Sequence, residues 1–197
     1  MMDKLIARFT NQLEEAIEVS KSADIHSHDR PIHKAYVAGL GGSGIGADFV
    51  ASFIRDECQI PYNVGKGYKI PAYVDENTLC IVSSYSGNTE ETLESMHQML
   101  DTGAKIVCIA SGGKIIELAK QLKLDFIQVP GGWPSPRACL GYSLVAQLFV
   151  LEKLNLISSD ATNQIQDSID FLEKNMTCRF LRVDNVVLKQ ADHRYLK

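Results

Sequence analysis

Ser84, Ser86, Gly87 and Thr89 fall within six residues of one another in Ser83-Ser84-Tyr85-Ser86-Gly87-Asn88-Thr89-Glu90-Glu91-Thr92. Each of the three hydroxyls can donate a hydrogen bond to a phosphate oxygen. Gly87 lets the backbone approach closely, and a helix beginning here adds partial positive charge. Such a grip needs no cation. The same residues also suit simple helix capping, with Ser86 or Asn88 as the cap and Glu90 and Glu91 in the first turn, although capping needs only one hydroxyl. A second anion-cradling candidate is Gly39-Leu40-Gly41-Gly42-Ser43-Gly44, which follows an apolar run and opens a helical pattern. Its spacing also matches a dinucleotide fingerprint, but that reading requires an acid at the end of the next strand. Asp56 and Glu57 come before Pro61, and Tyr62–Tyr68 holds no acid. A dehydrogenase is therefore disfavoured, and no cofactor is expected.

Arg137 stands after Pro130, Pro134 and Pro136 and after Gly131-Gly132, at the head of an apolar helical stretch. A cation there opposes the helix dipole at a cost of about 0.3–1 kcal/mol, and rules of this kind tend to be broken where function demands it. Such a guanidinium can stabilise an enediolate as a proton leaves a sugar carbon; the alternative is a solvent-facing Arg paired to a nearby acid. Asp24-Ile25-His26-Ser27-His28-Asp29 has metal-ligand residue types but no evident third and fourth ligand, so it reads as a solvated linker and no metal is expected. Glu90, Glu91 and Glu94 are bases by type, placed as first-turn dipole partners. Lys114 in Ser111-Gly112-Gly113-Lys114 is either a substrate contact or a solvated helix start.

The elements that must position these residues follow from hydrophobic periodicity. Leu5, Phe9, Leu13 and Ile17 recur every four residues and form one stripe of a leading helix of about four turns. After a polar linker, short apolar runs at Ala35–Gly39, Tyr62–Val64, Leu79–Ser83, Lys105–Ala110 and Phe126–Val129 alternate with helical patterns. Those patterns lie at Ile45–Cys58, Glu90–Thr102, Lys114–Leu122, Arg137–Leu154 and Thr162–Lys174. The alternation predicts an α/β fold: a three-layer αβα sandwich with a five-stranded parallel sheet, doubly wound in the flavodoxin manner, plus the N-terminal helix. Both candidate loops then lie at strand carboxyl ends.

The formal charge of −4 leaves no broad cationic surface for nucleic acid. The first eight residues are interrupted by Asp3 and Lys4, and no run approaches the ~20 apolar residues of a membrane span, so a cytosolic protein is expected. Five cysteines without paired spacing read as reduced packing residues.

Gly41-Gly42-Ser43 followed by Ser84-x-Ser86-Gly87-x-Thr89 resembles the sugar-isomerase (SIS) domain family. The segment from Pro130 through Arg137 to Tyr142 is similar to its bifunctional phosphoglucose/phosphomannose isomerase branch. The resemblance implies Ser43, Ser84, Ser86 and Thr89 as phosphate ligands, Gly42 supplying backbone, and Arg137 facing the C1–C2 end of the sugar. It implies isomerisation of glucose 6-phosphate or mannose 6-phosphate to fructose 6-phosphate through a cis-enediol; a non-catalytic sugar-phosphate sensor is the alternative. The domain reading is a helix and linker over 1–30, an SIS domain over 31–176 and an atypical basic tail over 177–197. That tail carries five Lys/Arg against two Asp, and in it Asn185, Asp192 and His193 match no family motif. Family members have a second such domain with the base, so this chain alone is expected to lack one, and a homodimer is expected.

Overall fold

The computed structural model describes residues 5–158 and 160–176 of the 197-residue chain. The proposed tail over 177–197, with Cys178, lies outside the described residues. Five short strands, β1 (Lys34–Gly39), β2 (Tyr62–Gly65), β3 (Thr78–Ser83), β4 (Lys105–Ala110) and β5 (Asp125–Gln128), form one all-parallel sheet in the order β2-β1-β3-β4-β5. Val37 aligns with Val64 on one side and with Ile81 on the other, and Ile81 aligns in turn with Val107. The order reverses at β1, so the carboxyl ends of β1 and β3 are neighbours at a topological switch point.

Strand side chains alternate between two apolar layers, and both are covered. Ala35, Val37, Leu79, Ile81, Val107, Ile109 and Ile127 face the layer built by α1 (Phe9–Lys21), α2 (Gly41–Phe53), α5 (Leu140–Lys153) and α6 (Ala161–Met176). Tyr36, Ala38, Cys80, Val82, Ile106, Cys108 and Ala110 meet Met96 and Met99 of α3 (Glu90–Leu100) and Ile115, Ile116 and Ala119 of α4 (Gly113–Leu122). Burial on both faces explains why these strands read as continuous apolar runs. It also pushes the thiols of Cys80 and Cys108 up to about 12, so both stay neutral. Among the described residues two helices lie on the second face, and the connection between β2 and β3 adds to its cover. Ile70 and Val74 enter the core there, while Ser95 and Gln98 of α3 donate to the carbonyls of Gly67 and Tyr68.

Helix boundaries differ from the sequence reading in places. The leading helix runs Phe9–Lys21, with Leu5 and Ile6 also helical ahead of it, and it buries Gln12, Thr10 and Ser20 beside the expected Leu13 and Ile17. Its stripe is covered by α5 and α6 within the chain. The second helix begins at Gly41, four residues before Ile45, so the glycine-rich segment is its first turn. Among the described residues no helix is long and apolar enough to cross a membrane.

Candidate functional site

The carboxyl ends of β1 and β3 bring the starts of α2 and α3 side by side. In α2 the first intrahelical bond runs from the Gly44 N–H to the Leu40 carbonyl, and in α3 from the Leu93 N–H to that of Thr89. The N–H groups ahead of these have no intrahelical partner, as at any helix start. Thr89 occupies the N-cap position in extended conformation but makes no side-chain capping bond. Its hydroxyl lies 2.8 Å from that of Ser84 instead, and the Ser86 hydroxyl accepts the Asn88 N–H at 3.2 Å. Across the switch point, the Tyr85 N–H donates to the Ser43 hydroxyl at 3.2 Å.

A hydroxyl has one hydrogen to give and two lone pairs. Ser43 and Ser86 accept in these bonds and so keep their hydrogens, and the Ser84–Thr89 pair uses only one of its two. Three hydroxyl hydrogens therefore remain for an anion near two helix N-termini, where partial positive charge already favours it. Gly42 and Gly87 permit this crowding. A Cβ on Gly42 would stand 2.8 Å from the Pro136 carbonyl oxygen and 3.6 Å from Arg137 Cα. Gly87 has φ +68°, and a Cβ there would strike the Gly112 carbonyl at 1.8 Å.

Arg137 belongs to a short 3-10 turn, Pro136–Cys139, that precedes α5 rather than to the helix itself. Its backbone adjoins Gly42, its side chain is exposed, and it has no ion pair or hydrogen bond among the described residues. The nearby acid of the alternative reading is thus absent among them. Three loops, following β1, β3 and β5, enclose a cavity of about 10 Å³ lined by Gly42, Ser43, Tyr85, Pro136, Cys139 and Ser143, among others. That is the scale of a single water.

Several residues that the sequence did not single out support this arrangement. Tyr85 bonds Ser43 through its N–H. Its carbonyl accepts from the Ser111 N–H and hydroxyl at 2.9 and 2.7 Å. Its phenol donates to the Pro130 carbonyl and accepts the Trp133 N–H, each at 3.2 Å. Burial raises the Tyr85 pKa, against the bond from Trp133, so the phenol stays protonated. The Trp133 indole donates to the Tyr142 hydroxyl at 3.2 Å, the Tyr142 hydroxyl donates to Glu15, and Arg8 lies 4.7 Å over the indole ring. Buried Gln12 holds the Arg137 turn from behind: its amide donates to the Ala138 carbonyl at 2.6 Å and accepts the Gly141 N–H at 2.8 Å. Ser143 donates to the Ser43 carbonyl, and Gln147 donates to Ser143 while accepting from Tyr62. The available signals were faint: a lone Trp in a Pro/Gly segment, and a Gln one position from a stripe.

Among the described residues the other candidates make no bond to the hydroxyls of the cluster, although Glu90 directly follows Thr89. Glu90, Glu94 and Lys114 line an open cleft of about 560 Å³ with Tyr68, Asn88 and His97, and the Lys114 N–H is held by the Asn88 side chain. Among the described residues no group of three or more His, Cys, Asp or Glu is placed to hold a metal ion. His26 is exposed, as expected of the linker, but it is not unpaired. Its ring lies 2.8 Å from Asp125 and 3.4 Å from Asp24, and its N–H donates to Asp125 at 2.8 Å.

Comparison with known proteins bears on family and fold. The chain is 40% identical over 171 residues to the bifunctional phosphoglucose/phosphomannose isomerase of Caldicellulosiruptor bescii, covering 87% of this chain and 50% of that protein. It is 34% identical over 175 residues to the enzyme of the same name from Aquifex aeolicus, covering 88% and 50%. A D-glucosamine-6-phosphate 4-epimerase from Sulfolobus acidocaldarius is 30% identical over 140 residues, covering 71% and 42%. The chain thus spans about half the length of the curated relatives it matches. A Clostridium difficile structure provisionally described as a phosphosugar isomerase superposes with a TM-score of 0.69 at 19% identity, covering 90% of this chain and 53% of that one. This last likeness is one of fold. The SIS domain model itself matches residues 30–156, from the end of the linker through the strands, both hydroxyl-bearing loops and the Arg137 turn to the end of α5, and the chain belongs to the SIS domain family.

Proposed function

We propose that this chain is the sugar-phosphate-gripping half of an aldose–ketose isomerase that interconverts glucose 6-phosphate or mannose 6-phosphate with fructose 6-phosphate. The observation that carries the reading is the three spare hydroxyl hydrogens of Ser43, Ser86 and the Ser84–Thr89 pair beside two helix N-termini. They suit a phosphate, with Gly42 giving backbone access. Arg137, on the adjoining turn, takes the developing enediolate charge, and its guanidinium, unpaired among the described residues, is available for that role. Isomerisation also requires ring opening and a base that moves a proton between C2 and C1. We assign those groups to protein outside this chain, consistent with relatives twice its matched length. The chain's own part is then positioning and charge stabilisation. The name of the epimerase relative supports a sugar 6-phosphate as ligand while differing in the reaction, so ligand class is the firmer element.

A ligand bound only to the native state raises stability by about 2.7 kcal/mol at a hundred times its Kd, which for a chain of this size lifts Tm by about 5–10 °C. Glucose 6-phosphate should give that shift and glucose should not. Ser84→Ala combined with Thr89→Ala should abolish it; an unchanged shift in that variant would place the phosphate elsewhere. A second reading, a non-catalytic sugar-phosphate module, draws on the same half-length match. It gains ground if adding a separately produced second half of a relative to this chain restores no fructose 6-phosphate turnover.

A further inference from the structure

Tyr85 lies between Ser84 and Ser86, and none of its bonding groups points to a role in gripping phosphate. Its N–H goes to Ser43 after β1, its carbonyl to Ser111 after β4, and its phenol to Pro130 and Trp133 after β5. One residue of the hydroxyl loop is thereby bonded to the loops that follow β1, β4 and β5. We propose that Tyr85 is a positioning residue that couples occupation of the phosphate grip to the placement of the Arg137 loop. This rests on the sugar-phosphate reading above.

The argument is mechanical. The segment between β5 and the Arg137 turn contains Gly131 and Gly132, the latter at φ +84°, and little of its own backbone bonding. Its path is set by side chains from elsewhere. At its start the Tyr85 phenol bridges the Pro130 carbonyl and the Trp133 N–H; in its middle the Trp133 indole is held by Tyr142 and Arg8; at its end Gln12 holds Ala138 and Gly141. The second and third tethers come from Arg8, α1 and α5; α5 also reaches the Ser43 carbonyl through Ser143, but no residue of these two tethers bonds a hydroxyl of the cluster. Only the first shares a residue with the grip. An anion that draws Ser84 and Ser86 onto itself moves the backbone between them, and the rigid phenol ring carries that movement to Trp133, four residues before Arg137. Burial keeps the phenol protonated, so it can donate and accept at once.

Trp133 is the sole tryptophan of the chain, so its emission reads this contact directly. In the full chain, titration with glucose 6-phosphate or inorganic phosphate should change Trp133 emission along the same curve that calorimetry gives for binding. Tyr85→Phe, which removes one oxygen and no ring, should keep the affinity within about twofold, as for a residue outside the ligand contacts. It should lose the emission change, and in the unliganded variant acrylamide should quench Trp133 about twofold more strongly, one tether being gone. If that variant fails to fold, hydrogen exchange of the Trp133 amide in the wild-type chain takes its place: glucose 6-phosphate should slow it, and unchanged exchange overturns the coupling. Binding with silent tryptophan, or with the same emission change in Tyr85→Phe, overturns the coupling alone. Absence of binding to either probe by the wild-type chain overturns the phosphate reading and the coupling with it.

Discussion

At the scale of single residues, the titration of His26 has a sign that can be worked out. Its pKa is raised from the ordinary 6.5, first by the hydrogen bond to Asp125, then by the charges of Asp125 and Asp24. Asp125 is only 8% exposed, and burial, its largest single influence, pushes its pKa up; the bonds from Lys105, at 2.6 Å, and from His26 outweigh it and hold the carboxyl below its ordinary range. A raised histidine contributes stability that is full below pH 6.5 and is lost as pH rises through the folded value. The Tm advantage of wild type over His26→Gln should therefore be full below pH 6.5 and shrink as pH rises above it through the raised folded value. An advantage that stays constant with pH would show that the imidazolium takes no part. Nothing local to the linker announces this pairing, because Asp125 is 99 positions away. The hydroxyls were legible for the opposite reason: Ser84, Ser86 and Thr89 lie close in sequence, and their types alone state what they can donate.

Among the elements, strands were read nearly to the residue, since apolar runs buried on both faces have no competing pattern. The start of α2 was not, because four glycines in six residues argue against helix by propensity, and only close packing on Pro136 shows why small residues continue it. Nor did the polar positions of α1 reveal that Gln12 is fully buried and bonded to the turn bearing Arg137. Gln12→Ala should strand the Ala138 carbonyl and the Gly141 N–H without partners. At about 1–3 kcal/mol for each of these two groups, the loss should be about 2–6 kcal/mol in urea unfolding. A change below about 0.5 kcal/mol, the usual size for an innocuous surface substitution, would mean that water replaces the amide.

For the molecule as a whole, the stripe on α1 is covered within the chain, and an exposed apolar edge lies on α2. Ile45, Phe49 and Phe53 recur every four residues there and stay 43%, 55% and 45% exposed. Aromatic side chains of that size left in water are characteristic of an interaction surface. A homodimer formed through this edge should dissociate in Phe49→Glu by light scattering while the glucose 6-phosphate shift in Tm persists; an unaltered mass would move the interface elsewhere. The bond from Gln12 to Ala138 spans 126 positions. During synthesis at about 5–20 residues per second, α1 waits roughly 6–25 s for the turn it will hold. For that interval Leu13, Ala16 and Ile17 are an open apolar face on a nascent chain, with the hydroxyl loop already made and no Arg137 turn beside it. Birth order thus leaves α1 without its packing partner until late, and makes α5 the element whose arrival covers it.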